Sequence, residues 1–376
     1  MKIGFYSSAP LEDKRNWSGT MFKMYEQIRL NGYEIVWIPT VQYTNTENKI
    51  FSAIEKLYNK IFNRGYNQHL FTLKSLIASK KLKQHINRLN VDVIFIPTYI
   101  NDFAFLNIKQ PIIYLNDANV AQLINYYPYY SGLGYFSKKE TKFLEKKALL
   151  NASAIVYSSD WAADYAIKNY GIEKEKIHVL KFGANITIPE IIHFDKKMDD
   201  FTFLFLAVDW ERKRGNLAYK ALKILFEKGY PIKMKIIGCN PNVKEEWIKI
   251  IPFLNKNNPV EFKQLQEYLS TSHFLFVPTK ADCTPIAFCE AAGYGLPVIS
   301  TNTGGVNAHV EPGYNGILLP EEAFVEDYAL AIENIINNPE AIHNMTINAR
   351  KKYDNELNWE MWGKNMNQIL QNLQIR

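Results

Sequence analysis

The chain has 376 residues, of which 47% are apolar, 14% aromatic and 22% charged, a balance that excludes a disordered low-complexity chain, a collagen and a coiled coil. At roughly 100 to 200 residues per domain the length predicts two or three domains with buried cores. Three cysteines, Cys239, Cys283 and Cys289, are too few for a disulfide framework and lack the paired spacing of a zinc site, so a reducing, cytoplasmic setting is expected.

The net charge of +6 is unevenly placed. Residues 51–90 carry eight basic side chains against one acid, Glu55, and the remainder is close to neutral. No RNA or DNA motif coincides with this segment, so nucleic acid is not an expected partner. The apolar stretch within MKIGFYSSAP is too short for the core of a signal peptide, and no window approaches the roughly 18 apolar residues that span a bilayer. Any membrane contact is expected from the surface.

Short β-branched and aromatic runs alternate with stretches of helical period, the pattern of a parallel sheet with crossover helices, so the fold class is α/β. Strands are predicted at 2–6, 34–38, 92–97, 111–115, 154–158 and 178–181, and a helix at 19–31 ends before Gly32. Within the basic segment, Ile54, Leu57, Tyr58, Ile61 and Phe62 recur at helical spacing, with Lys56, Lys60 and Arg64 on the other side. Such a helix can lie on an anionic membrane; the same stripe is equally compatible with packing on its own domain. After Gly183, Ala184 and Asn185 the pattern breaks over 186–200, which reads as a linker. A second alternation follows, with strands at 201–208, 232–237, 273–277, 297–300 and 316–319. The expected division is 1–185, linker 186–200, 201–355, and a C-terminal helix in 356–376. Two doubly wound sheets facing each other make an interdomain cleft the default site, because open α/β sheets bind ligands at the carboxyl ends of their strands.

The strongest local signal is PTKADCTPIAFCEAAGYGLPVIST, residues 278–301. Thr284 and Pro285 read as N-cap and first residue of a helix that starts at a strand's carboxyl end, where free backbone N–H groups and the helix dipole favour an anion. Asp282 stands before this helix and Glu290 about one and a half turns into it. Directly after the strand at 201–208 comes Asp209-Trp210-Glu211-Arg212-Lys213-Arg214-Gly215. Cations at a helix start oppose the dipole, which points to an anionic partner. Trp17-Ser18-Gly19-Thr20 follows the first strand, and Asn116-Asp117 the strand at 111–115. The histidines His178, His193, His273 and His343 have no partner visible in the sequence, and no Asp-x-Asp loop follows a strand, so no metal is expected.

Asp282, seven residues, then Glu290, followed by AAGYGLPVI and Thr303-Gly304-Gly305, resembles the signature of retaining glycosyltransferases of the GT-B fold, family-4 type, the glycosyl transferases group 1. That family usually has Glu in both places; here Asp282 is one methylene shorter, and Thr284-Pro285 replaces its Phe-Gly. The resemblance implies two Rossmann-like domains, a nucleotide-sugar donor and no further cofactor. It implies that Glu290 holds the donor ribose, and that Asp282 with the backbone of Cys283, Thr284, Pro285 and Ile286 holds sugar and diphosphate. Lys213 matches the family's diphosphate-binding Lys, with Arg212 as second cation. Ser18, Gly19 and Thr20 match the glycine-containing loop near donor and acceptor, and Asp117 becomes the polar contact to sugar or acceptor. Ser158-Ser159-Asp160-Trp161 and 183–185 resemble rim segments, and the final helix near Trp359 packs back on the first domain. The implied activity is transfer of a sugar to an acceptor hydroxyl with retention, by a front-face reaction, in polysaccharide or glycolipid assembly with a glycan or lipid-linked acceptor. A non-catalytic sugar or nucleotide binder, or an epimerase or phosphorylase on the same fold, are the alternatives.

Overall fold

A computed structural model of the protein describes residues 1–67, 69–192 and 199–374. His193 and part of the expected linker lie outside the described residues. By their contacts the residues group into two units, Met1–Leu180 with Trp362–Arg376, and Lys181–Met361.

The first unit contains β1 (Lys2–Ser7), α1 (Thr20–Leu30), β2 (Glu34–Pro39), α2 (Asn45–Phe62), α3 (Thr72–Ile86), β3 (Val93–Pro97), β4 (Ile112–Asn116), α4 (Val120–Leu123), α5 (Tyr135–Asn151), β5 (Ala154–Tyr157), α6 (Asp160–Tyr170) and β6 (Ile177–Val179). All pairings are parallel, in the order β2-β1-β3-β4-β5-β6. Parallel strands covered on both faces read as unbroken apolar runs, and β3 and β4 are buried at every residue. The strand order reverses between β1 and β3, where Phe5 meets Phe95 edge to face at 4.9 Å. The crossover helix α1 buries Thr20, Met21, Met24 and Ile28, one face at helical spacing.

The second unit contains β7 (Phe201–Leu206), α7 (Gly215–Glu227), β8 (Ile232–Ile237), β9 (Ile248–Ile251), α8 (Pro259–Thr271), β10 (Phe274–Phe276), α9 (Ile286–Gly293), β11 (Val298–Thr301), β12 (Gly316–Leu319), α10 (Val325–Ile336) and α11 (Pro339–Asn355). A last helix, α12 (Trp359–Gln374), carries the chain from the second unit into the first. The second sheet, also parallel, runs β12-β11-β10-β7-β8-β9 and reverses between β7 and β10, above a Phe203–Phe274 stack at 5.4 Å. This is the doubly wound order that places ligands at the reversal point.

The predicted strands are all present, most shifted by one or two residues at an end. β9 is the addition: it is a four-residue edge strand with Lys249 exposed, too short and too polar to announce itself by periodicity. His273, read as partnerless, is buried and accepts the amide of Thr202 through Nδ1 at 3.0 Å, which joins the start of β10 to β7.

Candidate functional site

In the second unit the reversal point brings two loops together. After β7, Asp209 turns the chain: its carboxylate accepts the Arg212 amide at 3.0 Å and Nε at 3.2 Å, and its carbonyl accepts the Lys213 amide at 3.1 Å. The Arg212 amide, with the Arg212 guanidinium, holds the Asp209 carboxyl below the usual range. The loop closes at Gly215, where a Cβ would strike the Trp210 ring, so only glycine lets α7 start this close. After β10, the loop through Asp282 is tied to the first. Lys280 N–H donates to the Arg212 carbonyl at 2.8 Å, and Arg212 Nη1 to the Ala281 carbonyl at 2.9 Å.

Across this junction Lys213 Nζ donates to Asp282 Oδ2, both side chains nearly enclosed. The Asp282 carbonyl accepts from Gly305 N–H at 3.0 Å, so the Thr303-Gly304-Gly305 turn fixes the backbone that Lys213 engages by the side chain. Behind this turn lies buried His309, with Nδ1 3.1 Å from the Gly305 carbonyl. Burial pushes its imidazole down to about 4, so it is neutral at pH 7.

The helix after Asp282 begins one residue later than expected. Pro285 is its N-cap, with φ −75° and an extended ψ of 90°, and the helical residues start at Ile286, so Thr284 is not the cap. The Pro285 carbonyl accepts Phe288 N–H at 2.8 Å and closes the first turn. Glu290, on this helix, is fully buried. Lys256 Nζ, from the loop before α8, lies 2.5 Å from its Oε1, while Oε2 has no hydrogen-bond partner among the described residues. A buried carboxylate oxygen without a donor costs roughly 1 to 3 kcal/mol, a cost that a ligand hydroxyl would remove.

Sequence reasoning missed two parts of this unit. Lys256 lies 34 residues from Glu290, and nothing in its spacing signals the pairing. A cavity of about 560 Å³ opens at the carboxyl ends of β7 and β8, walled by Val208, Trp210, Asn216 and the turn Gly238-Cys239-Asn240-Pro241. The glycine and proline directly after an apolar strand were the available signal.

In the first unit, Ser18, Gly19 and Thr20 lie at the entry of α1, at the carboxyl end of β1. Trp17 (φ 48°), Ser18 (φ 55°) and Gly19 (φ 93°) are successive left-handed residues, and Gly19 is the N-cap. Asp117 follows β4, half-buried; its amide donates to Asn116 Oδ1 at 3.0 Å, and Asn116 in turn donates to the Tyr114 hydroxyl at 2.9 Å. The same sheet edge holds a pair the sequence did not announce: Tyr6, from β1, donates to Asp102 Oδ2 at 2.7 Å, and burial raises that carboxyl. Among the described residues no three His, Cys, Asp or Glu side chains group as a metal site.

The structure thus brings Arg212, Lys213, Asp282, Cys283, Thr284, Pro285, Ile286 and Glu290 to one reversal point, and Ser18, Gly19, Thr20 and Asp117 to the strand ends of the other sheet. Among solved structures, the apo form of the lipopolysaccharide outer core galactosyltransferase WaaB aligns over 99% of both chains with TM-score 0.67 and 15% identity. Anabaena HepE in complex with UDP and glucose aligns over 99% of this chain and 100% of its own, with TM-score 0.63 and 14% identity. These likenesses show the GT-B fold. Among curated proteins, a D-inositol 3-phosphate glycosyltransferase of Paenarthrobacter aurescens is 22% identical over 54% of this chain and 53% of its own. A putative colanic acid biosynthesis glycosyltransferase of Salmonella typhimurium is 24% identical over 57% and 55%. The chain therefore spans about half the length of the curated relatives it matches. The family Glycosyltransferase Family 4 matches residues 21–187 and the family Glycosyl transferases group 1 matches residues 189–352. With one family on each Rossmann-like unit and the motif loops assembled at the second unit's reversal point, the chain belongs to the group 1 glycosyltransferases of the GT-B fold.

Proposed function

We propose that this protein transfers a sugar from a nucleotide-sugar donor to an acceptor hydroxyl with retention of anomeric configuration, in the assembly of a polysaccharide or glycolipid. The observation that carries the reading is Glu290: a fully buried carboxylate with one oxygen on Lys256 and the other awaiting a donor, on the helix that Asp282 introduces. A ribose diol supplies such a donor. The cavity beside Trp210 and Gly238 has room for the attached base. The neighbours in complex with UDP and with UDP-glucose, and the relatives in colanic acid and lipopolysaccharide synthesis, support this choice of donor and pathway class.

In this reading Lys213, Arg212 and the N–H groups at the start of α9 meet the diphosphate, so the growing charge on the leaving oxygen is balanced without a divalent ion. Asp282, with the backbone of residues 283–286, orients the sugar, and Ser18, Gly19, Thr20 and Asp117 act at the donor phosphates, sugar or acceptor. The bond from the anomeric carbon to the phosphate oxygen breaks with its electron pair leaving on that oxygen. The same oxygen takes the acceptor hydroxyl's proton, and the acceptor oxygen bonds the anomeric carbon on the face just vacated. The protein contributes position and electrostatics.

The test is a panel of nucleotide sugars screened by thermal shift, followed by NMR of the product's anomeric proton. Product of the donor's own anomeric configuration, formed only with acceptor and unaffected by EDTA, is expected. Inverted product removes retention, loss of turnover with EDTA removes metal independence, and donor binding with no transfer to any acceptor leaves a binding protein.

A further inference from the structure

α2, from the basic segment, and α5 beside it form a face that no described part of the chain covers. In α2 the apolar stripe divides: Phe51 is buried and Ile54 and Tyr58 are half-buried, but Leu57 and Ile61 are 58% and 63% exposed. Phe62, at the end of this helix, touches Phe136 of α5 with ring centroids 5.5 Å apart. The outer face of α5 then alternates ring and cation. Tyr135, Phe136 and Phe143 are exposed; exposed Lys139 and Lys142 lie between them, Lys139 Nζ over the Tyr135 ring at 4.6 Å, and exposed Lys146 follows. Lys56 and Lys60 flank the α2 stripe and are exposed.

Three of the four carboxylates of the two helices are engaged elsewhere and do not offset these cations. Glu47 is bonded to Lys81, Glu140 to Thr72 and Tyr66, and Glu145 is buried against Val120, Ala121 and Tyr170; Glu55 is half-buried. The face is therefore apolar and aromatic at its centre, with positive charge along it. α3 contributes less than its composition suggested, because Lys74 lies over the Tyr43 ring at 5.2 Å and Lys81 is spent on Glu47.

We propose that the α2–α5 face docks on an anionic lipid bilayer, with Leu57, Ile61, Phe136 and Phe143 entering the headgroup boundary and the lysines meeting lipid phosphate. Two observations favour a bilayer over a protein partner. The cations are lysines, which protein interfaces exclude from their centres in favour of arginine. They also flank exposed rings and aliphatic side chains, the composition of a helix lying in a membrane surface. No described helix is long and apolar enough to cross a membrane, so the attachment is peripheral. The proposal is independent of the reaction proposed above, since its readout needs no donor or acceptor.

The full chain is sedimented with vesicles of phosphatidylcholine alone and with 30% phosphatidylglycerol (on the order of the anionic content that gives a negative surface potential). Binding to the anionic vesicles only, weakened by salt, is expected. Lys139/Lys142→Glu lowers the partition coefficient at least about thirtyfold, at the usual contribution per lysine near such a surface. Leu57/Ile61→Ser lowers it as well, whereas the charge-matched control Lys168/Lys174→Glu changes it by less than about threefold, as expected when only generic attraction is altered. All three stay folded, because the residues are exposed; the control also loses the surface Lys168–Asp164 pair and melts at most slightly lower. Equal affinity for both vesicle types, no binding at low salt, or equal losses in all three variants overturns the proposal. So does a wild-type dimer in sedimentation velocity that Leu57/Ile61→Ser dissociates, which would make a second copy the occupant.

Discussion

The two units have the same sheet: six parallel strands, one reversal of order, and a phenylalanine pair beneath it. They differ in what stands on the strand ends. In the second unit charges are knitted to one another, Lys213 to Asp282, Arg212 to Asp209 and Lys256 to Glu290, and the loops share backbone bonds. In the first unit the strand ends are shaped by backbone conformation. Of the six described non-glycine residues at positive φ, five are in this unit: Trp17 and Ser18 before α1, the β-branched Thr98 after β3, and Asn63 and Asn125 at the ends of α2 and α4; only Arg214 is in the second. Thr98 is the centre of a three-residue turn, with Tyr99 N–H donating to the Pro97 carbonyl at 3.0 Å, a conformation that stores strain. One sheet presents prearranged charge and the other a prearranged shape. Under the function proposed above, such a division suits a charged donor at the second unit.

The sharpest way to break the comparison is to remove charge from the second unit. Lys213→Ala and Glu290→Ala are each expected to cut turnover at least about a hundredfold, the loss that follows when charge-assisted contacts of a few kcal/mol are removed. Lys213→Ala/Asp282→Ala should melt higher than Lys213→Ala alone, because removing one partner of an enclosed pair leaves the other charge uncompensated. Turnover within tenfold of wild type in a folded Lys213→Ala or Glu290→Ala variant would sink the assignment.

A second contrast is pH. Burial, the largest cause, pushes Glu145 of the first unit up to about 7, against the Tyr170 hydroxyl and the amides of Ala121 and Val120. Its folded form binds a proton that the unfolded form releases between about 4.5 and 7, so this contribution is lost as pH rises through that window. His309 of the second unit, pushed down to about 4, is the reverse: the unfolded chain binds the extra proton, and stability is lost as pH falls from 6.5 to 4. Each effect is on the order of 3 kcal/mol. Urea titrations across pH should show the wild-type advantage over Glu145→Gln shrinking toward neutral pH, and that over His309→Asn shrinking toward acid. Parallel pH profiles for a variant and wild type would show that its group titrates alike folded and unfolded.

The smallest effect concerns the first unit's backbone. Thr98→Gly and Ser18→Gly trade left-handed strain of about 1 to 2 kcal/mol for a more flexible unfolded chain, a net gain of roughly 0.5 to 1 kcal/mol. Thermal unfolding should show a small rise for both. A fall would mean that the side chains hold the turns more strongly than strain opposes them.

This contrast also governs what was legible in the sequence. Asp282, Glu290 and Lys213 stand out because the residues around them resemble the family's signature, and Arg212 by its place beside Lys213; their loops follow strands whose apolar runs are plain. Lys256 was hidden because its pairing depends on how a separate loop folds back. The run at 17–19 showed one glycine, while Trp17 and Ser18 take the same left-handed conformation without any compositional mark. Tyr6 and Asp102 meet only through the strand order. The α5 half of the exposed face was invisible for a related reason: periodicity tells which residues share a side of a helix but not whether that side is covered.

The first unit is discontinuous in the chain, and this bears on how the protein is made. Trp362, Met366 and Leu370 are buried, Tyr33 donates to Asn367 Oδ1 at 2.6 Å, and a Cβ on Gly363 would meet Gln27. These residues leave the ribosome after all of Lys181–Met361, at about 5 to 20 residues per second. The unit synthesised first is therefore the unit completed last, and its α1 edge must wait unsealed while the second sheet folds. Emergence of the helix from Trp362 onward, and not of residue 180, sets the earliest moment at which the first unit is complete.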